Sequence, residues 1–141
     1  YRSLNFSRRD AMNRARLVYA AYVGFLQLMM QLKLTRMDQE EFLIATLDTK
    51  LKVRRVVRIT RGTLDASIVH PREVFRPAIA DCASAILLIH NHPSGEPTPS
   101  REDYEVTQTL ETAGKMLGIQ VIDHIVVGSG QAVSINMSRA R

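Results

Sequence analysis

Two histidines one residue apart, His90 and His92, and a later aspartate, Asp103, have the types and spacing in this 141-residue sequence that point most directly to chemistry. At the end of a strand, positions i and i+2 face the same side. Both imidazoles then address one point while Asn91 faces away. A carboxylate brought to that point gives two nitrogens and one oxygen, with a fourth position left for water. Such a donor set makes a catalytic zinc site rather than a closed structural one. The water of such a site needs a carboxylate outside the metal shell to move its proton. Asp38, Glu40, Glu41, Glu73 and Glu96 all qualify by type, and the residues alone do not choose among them.

These side chains need elements to position them. The apolar run at residues 85–89 leads straight into His90, and so short a run fits a buried strand better than a helix. Pro93, Gly95, Pro97 and Pro99 exclude regular structure and force a tight loop. Ser100 suits a helix N-cap, which places Asp103 in the first turn of a helix reaching Leu117. Val106, Leu110, Ala113 and Leu117 form its apolar face, and Gly118 ends it. Alone, Ser100-x-x-Asp103 reads as a capping box, and a lone strand-end histidine reads as structure. The combination of His-x-His, a Pro/Gly loop and a helix-opening Ser-x-x-Asp reads as a site. His70 is a further imidazole that spacing leaves open as a ligand.

The string HNHPSGEPTPSRED, with RGTLDASIVHPREVFRPA before it and DHIVVG after it, resembles the RadC-like branch of the JAMM (MPN-type, JAB domain) metalloproteases. The shared pattern is His-x-His-Pro, a short spacer, then Ser-x-x-Asp. It runs from about residue 39 to 134, and the first 35 or so residues carry no comparable signature. The resemblance implies an α/β (α+β) domain: a curved mixed β-sheet flanked by helices, a cytidine-deaminase-like layered architecture, with the metal at the sheet margin. It implies one zinc per chain on His90, His92 and Asp103, with Ser100 donating a hydrogen bond to the oxyanion. It also implies Glu40, two residues before the aromatic that opens the first strand, as the acid/base, with Glu41 as the alternative. His70 then becomes a cap or a support to the site, and Ser67 belongs to the pattern without a derivable role. The implied activity is a zinc-dependent hydrolase of peptidase or isopeptidase type, acting on a peptide or protein. Two alternatives remain, a DNA-repair-associated or nucleic-acid-binding protein (by family name) and a non-catalytic MPN-like scaffold. Filled motif positions argue against the scaffold. The Gly-containing hairpin of the helix-hairpin-helix region carried upstream in that branch is missing from residues 1–39, which weakens direct DNA binding.

A length of 141 residues at 45% hydrophobic suits one domain with a sizeable core. The expected organisation is an N-terminal helical segment, 1–38, packing on a RadC-like domain, 39–141. Ser7 caps a helix to about Leu32 whose apolar residues cover two faces, which suits burial against a sheet or against the second subunit of a homodimer. Residues 42–47 and 52–60 read as a hairpin around a turn at 48–50. An amphipathic helix follows at 72–81, with Pro77 threatening a kink or early end. A strand at 119–127, a Gly-Ser-Gly turn and a last strand at 131–135 complete the chain. Asp123-His124 reads either as a support to a ligand or as a satisfied core pair.

The net charge of +5 hints at an anionic partner. Lys50, Lys52, Arg54, Arg55, Arg58 and Arg61 decorate the hairpin, either as a solvated edge or as a phosphate-tracking stripe. No aromatic residues interleave with them to stack bases. Residues 17–30 are too short to span a membrane and contain Gln27. No signal-peptide pattern is present, and Cys82 is alone. A cytoplasmic protein without a membrane partner is expected. The chain begins at Tyr1 rather than Met, as a fragment or processed chain would.

Overall fold

The computed structural model describes residues 38–62 and 68–139. Its strands are β1 (Glu41–Leu47), β2 (Val53–Arg61), β3 (Ala85–Asn91), β4 (Gln120–Val127) and β5 (Ala132–Ser134), in sheet order β2-β1-β3-β4-β5. β3 and β4 are parallel and every other neighbouring pair is antiparallel. Helix α1 (Pro71–Ala80) precedes β3, and α2 (Arg101–Leu117) supplies the crossover that a parallel pair requires. A short α3 (Ile135–Arg139) follows β5. This is the mixed α/β sheet with helices that the RadC-like resemblance implies.

β3 is the central strand, and all seven of its residues are buried. Alternation divides its side chains, and those of β1, between two clusters. Phe42, Ile44, Ile86 and Leu88 pack with Val74 and Phe75 of α1 and with Val106 and Leu110 of α2. Leu43, Ala45, Leu47, Leu87, Ile89 and Ile125 form the cluster on the other face. Truncating one such residue, Leu88→Ala for instance, removes about 2–5 kcal/mol. The hairpin turn is set by Asp48, whose Oδ1 accepts from Lys50 N and Lys52 N, while Leu51 takes a left-handed φ of 61°.

Several boundaries differ from expectation for identifiable reasons. α1 carries Pro77 inside it and ends only three residues later, at Ala80, with Asp81 N–H bonded to Pro77 O. Leu117 does not join the apolar face of α2 and is 50% exposed. Gly114 is buried there instead, because its bare Cα lets Ile119 O and Phe75 close onto the helix. The last strand is shorter than expected: after Ser134 the chain turns into α3, with Asp123 accepting from Asn136 N and from Ser134 Oγ. Ser67 and the expected N-terminal helix lie outside the described residues. No helix among the described residues is long and apolar enough to cross a membrane.

One backbone approach ties the sheet to the loop after His92. A Cβ at Gly128 would overlap Gly95 O and press on Pro97 Cδ. Gly128→Ala is therefore expected to lower stability by about 1–3 kcal/mol, read by urea unfolding. A variant as stable as wild type would show that this approach constrains nothing.

Candidate metal centre

β3 delivers His90 at its buried end, and His92 follows just beyond the strand. The chain does not fray there, because His92 N–H donates to Val127 O of β4 at 2.9 Å. The Pro/Gly loop is fixed to the β4–β5 turn by Ser129 N–H donating to Gly95 O, also at 2.9 Å. Ser100 caps α2 as its type predicts. Its Oγ accepts from Asp103 N at 3.1 Å, and its own N–H donates to Asp103 Oδ2 at 2.8 Å. The capping-box reading of Ser100-x-x-Asp103 is realised, and the same cap aims the Asp103 carboxylate at the histidines.

Asp103 is fully buried. Its Oδ1 lies 3.0 Å from His90 Nδ1 and its Oδ2 3.0 Å from His92 Nε2. His92 Nδ1 lies 2.9 Å from Glu96 O, and a carbonyl only accepts, so Nδ1 carries the proton. In the neutral ring Nε2 is then a bare lone pair facing a carboxylate oxygen. On the other side, His90 Nδ1 and Asp103 Oδ1 are close but neither has a hydrogen bond of acceptable geometry. A cation shared by the imidazoles and the carboxylate would satisfy the atoms left unpaired here. Ligand atoms about 2.0 Å from a tetrahedral zinc stand about 3.3 Å apart; here each imidazole meets a different oxygen of the Asp103 carboxylate at 3.0 Å.

Glu40 stands in the same group. Its Oε1 is 3.9 Å from His90 Nε2, and one ligand atom each from Glu40, His90 and His92 lies within 4.8 Å of the others, a set able to hold a metal ion. Glu41 points elsewhere: its carboxylate meets Arg58 at 3.4 Å and Arg61 at 3.8 Å. Strand alternation separates the two acids, because Glu40 shares a face with Phe42, whose ring packs near His90. His70 occupies the N-cap position of α1, is exposed and makes no side-chain cap.

Asp123 and His124 divide, one to each face of β4. Asp123 serves α3, as described above. His124 is buried behind the site, its ring centroid 6.2 Å from that of His90 and edge-on to Phe42. Its Nδ1 lies 2.6 Å from Thr107 Oγ1, which donates to Asp103 O. Thr107 therefore accepts from His124, a link for which the sequence offered only the helical spacing from Asp103.

Burial drives the His124 pKa down to about 3, with the Asp103 charge opposing and His90, His92 and Arg139 reinforcing the shift. For Asp103, burial pulls the carboxyl upward, but the His90 imidazole and the Ser100 N–H outweigh it and hold the group well below the usual carboxylate range. The pair therefore stands as a neutral imidazole and an anion at neutral pH.

A family model described as RadC-like JAB domain matches residues 23–140, reaching into the stretch where the sequence shows no signature of its own. The chain is similar to a UPF0758 protein of Trichlorobacter lovleyi, 54% identical over 92 residues that cover 65% of this chain and 40% of that protein. It is similar also to a UPF0758 protein of Caldanaerobacter subterraneus, 52% identical over 99 residues, covering 70% and 42%. A UPF0758 protein of Methanosarcina barkeri is 47% identical over 103 residues, covering 73% and 45%. The chain spans less than half the length of these curated relatives.

A depressed folded-state pKa contributes stability that is complete above the unfolded value and lost as pH falls toward the folded one. For His124 that window runs from about 6.5 down to about 3. Chelator-treated protein is expected to lose roughly 1.4 kcal/mol per pH unit below about pH 6, before the carboxylates protonate. Urea unfolding at pH 7, 5.5 and 4.5 should show this slope in wild type and a flatter one in His124→Gln. Equal slopes would assign the acid sensitivity elsewhere.

Proposed function

The chain belongs to the RadC-like JAB domain family, and from that premise we propose that it is a zinc-dependent hydrolase of peptidase or isopeptidase type. One zinc per chain would be held by His90, His92 and Asp103. The observation that carries this reading is the meeting of two imidazole nitrogens with the two oxygens of one buried carboxylate, each pair at 3.0 Å. Two nitrogens and one oxygen, with a position left over, suit a catalytic zinc. Zinc, when bound, polarises a carbonyl and makes a water nucleophilic near neutral pH.

The chain's own groups do the rest. Asp103 keeps its charge in place through the cap that Ser100 makes. Glu40, whose Oε1 lies 3.9 Å from His90 Nε2, is on this reading the acid/base rather than a ligand. Its carboxylate takes the water's proton and returns it to the departing amine nitrogen. Ser100 Oγ accepts from Asp103 N and keeps its own O–H to donate to the substrate carbonyl oxygen as negative charge develops. Donors of this kind are worth about 3 kcal/mol. The substrate is a peptide or isopeptide bond within a protein.

The nucleic-acid alternative draws less support. Of the basic hairpin, Arg55 is paired with Asp81 at 2.9 Å, Arg54 donates to Asp81 O, and Arg58 and Arg61 both face Glu41. Arginines engaged in this way are less available to phosphate.

Purified protein should contain about one zinc per chain, lost in both His92→Ala and Asp103→Ala. Glu40→Gln should keep the metal and reduce hydrolysis across a peptide and isopeptide panel by about 10²–10⁴-fold. Loss of zinc in Glu40→Gln would make Glu40 a ligand, and undiminished turnover would remove it from the mechanism.

A further inference from the structure

The residue between the two histidines does something its neighbours do not. The β1–β3 ladder stops at the Phe42/His90 pair, since beyond it the backbone of β3 stays with β4 through the Asn91/Val127 pair and the His92 N–H. Residues 39–41 therefore have no backbone partner on that side. Asn91 supplies one with its side chain. Its Oδ1 accepts from Glu41 N–H, and its Nδ2 donates to Gln39 O at 2.9 Å. A carboxamide offers one acceptor and two donors in a plane, much as a peptide group would. Asn91 is only 3% exposed, so water does not compete for these bonds.

Extended chain turns successive peptide groups to opposite edges. Glu41 N–H and Gln39 C=O face β3, while Glu40 C=O faces β2, where Gly62 N–H donates to it at 2.8 Å. The main chain at Glu40 is thus tied from both edges just before β1 begins. We propose that Asn91 is a positioning residue, whose carboxamide clamps the peptide groups on either side of Glu40 and so sets where that carboxylate stands over His90. The proposal rests on the reading of Glu40 given above and assigns Asn91 no contact with metal or substrate. Its consequence is geometric: a catalytic group displaced by about 1 Å loses on the order of 10²-fold in rate, and an untied residue before a strand has that freedom.

Cobalt(II), added alone to chelator-treated protein, gives a visible band that reports the surroundings of the metal. Glu40→Gln, Asn91→Ala and the double variant are each expected to bind one cobalt per chain. Asn91→Ala should shift the band in the direction that Glu40→Gln does, and the double variant should shift it no further than Glu40→Gln alone, because effects passing through one residue do not add. In wild type the Glu41 amide should exchange its hydrogen about ten-fold or more slowly than the Gln39 amide, a measurement that needs no variant to fold. An unshifted band in Asn91→Ala beside a shifted one in Glu40→Gln would overturn the proposal and leave the role of Glu40 standing. Summed shifts in the double variant, or equal exchange at Glu41 and Gln39, would overturn it as well. An unshifted band in Glu40→Gln would remove the role of Glu40 and the proposal together.

Discussion

Asp103 is completely buried and faces an imidazole nitrogen with each oxygen at 3.0 Å, so the fold must keep an anion out of water and hold it still. It does so at the start of a helix. The first-turn position puts the carboxylate against the positive end of α2, where an anion is favoured, and the Ser100 N–H adds a charge-assisted hydrogen bond. The same cap fixes the rotamer, so the element that stabilises the charge also aims it. A glutamate would be one methylene too long for this reciprocal arrangement, and an asparagine would present one donor where two acceptors are required.

The other members of the site come from elements that meet at one end of the sheet. Open sheets containing parallel strands place their functional groups beyond the carboxyl ends of those strands, and His90 and His92 occur at that end of β3. β4, parallel to β3, sets the height of His92 through Val127 O, and the turn after β4 holds the loop through Gly95. β1, antiparallel on the other side, brings Glu40 to the same end because its start lies opposite the finish of β3. The mixed sheet is therefore what lets a strand's beginning and its neighbour's end contribute to one place.

Much of this is legible in the sequence wherever a local rule has one dominant outcome. The apolar run before His90, the prolines after it, and Ser100 with Asp103 each specify local structure, and their order specifies convergence. What is not legible depends on contacts distant in the chain. Glu40 and Glu41 are equivalent by type, and only the arginines of β2 and the face shared with Phe42 separate them. Asp123 and His124 are adjacent yet serve opposite sides of β4, a division that alternation predicts in kind but whose partners, Asn136 and Thr107, alternation does not name. Leu117 fits the helical period but stays exposed because Gly114 allows a closer approach on the neighbouring stripe. By its place in the sequence Asn91 is only the residue that faces away, since the gap it fills arises from where two ladders end.

The polar groups of the site break a rule that most of the sheet obeys. His90 has both nitrogens buried without a well-formed hydrogen bond, as do Asp103 Oδ1 and His124 Nε2, and each such group typically costs about 1–3 kcal/mol. The other two atoms of this kind among the described residues belong to Thr60 and Glu111. At the opposite end, Ala85, Ile86 and Leu87 of the same strand are apolar and packed. A sequence selected for stability alone would continue that apolar pattern through positions 90 and 103. Conflicts between local chemistry and the surrounding fold that gather in one place are expected where function opposes stability. Four unsatisfied atoms on three neighbouring side chains, His90, Asp103 and His124, form such a concentration.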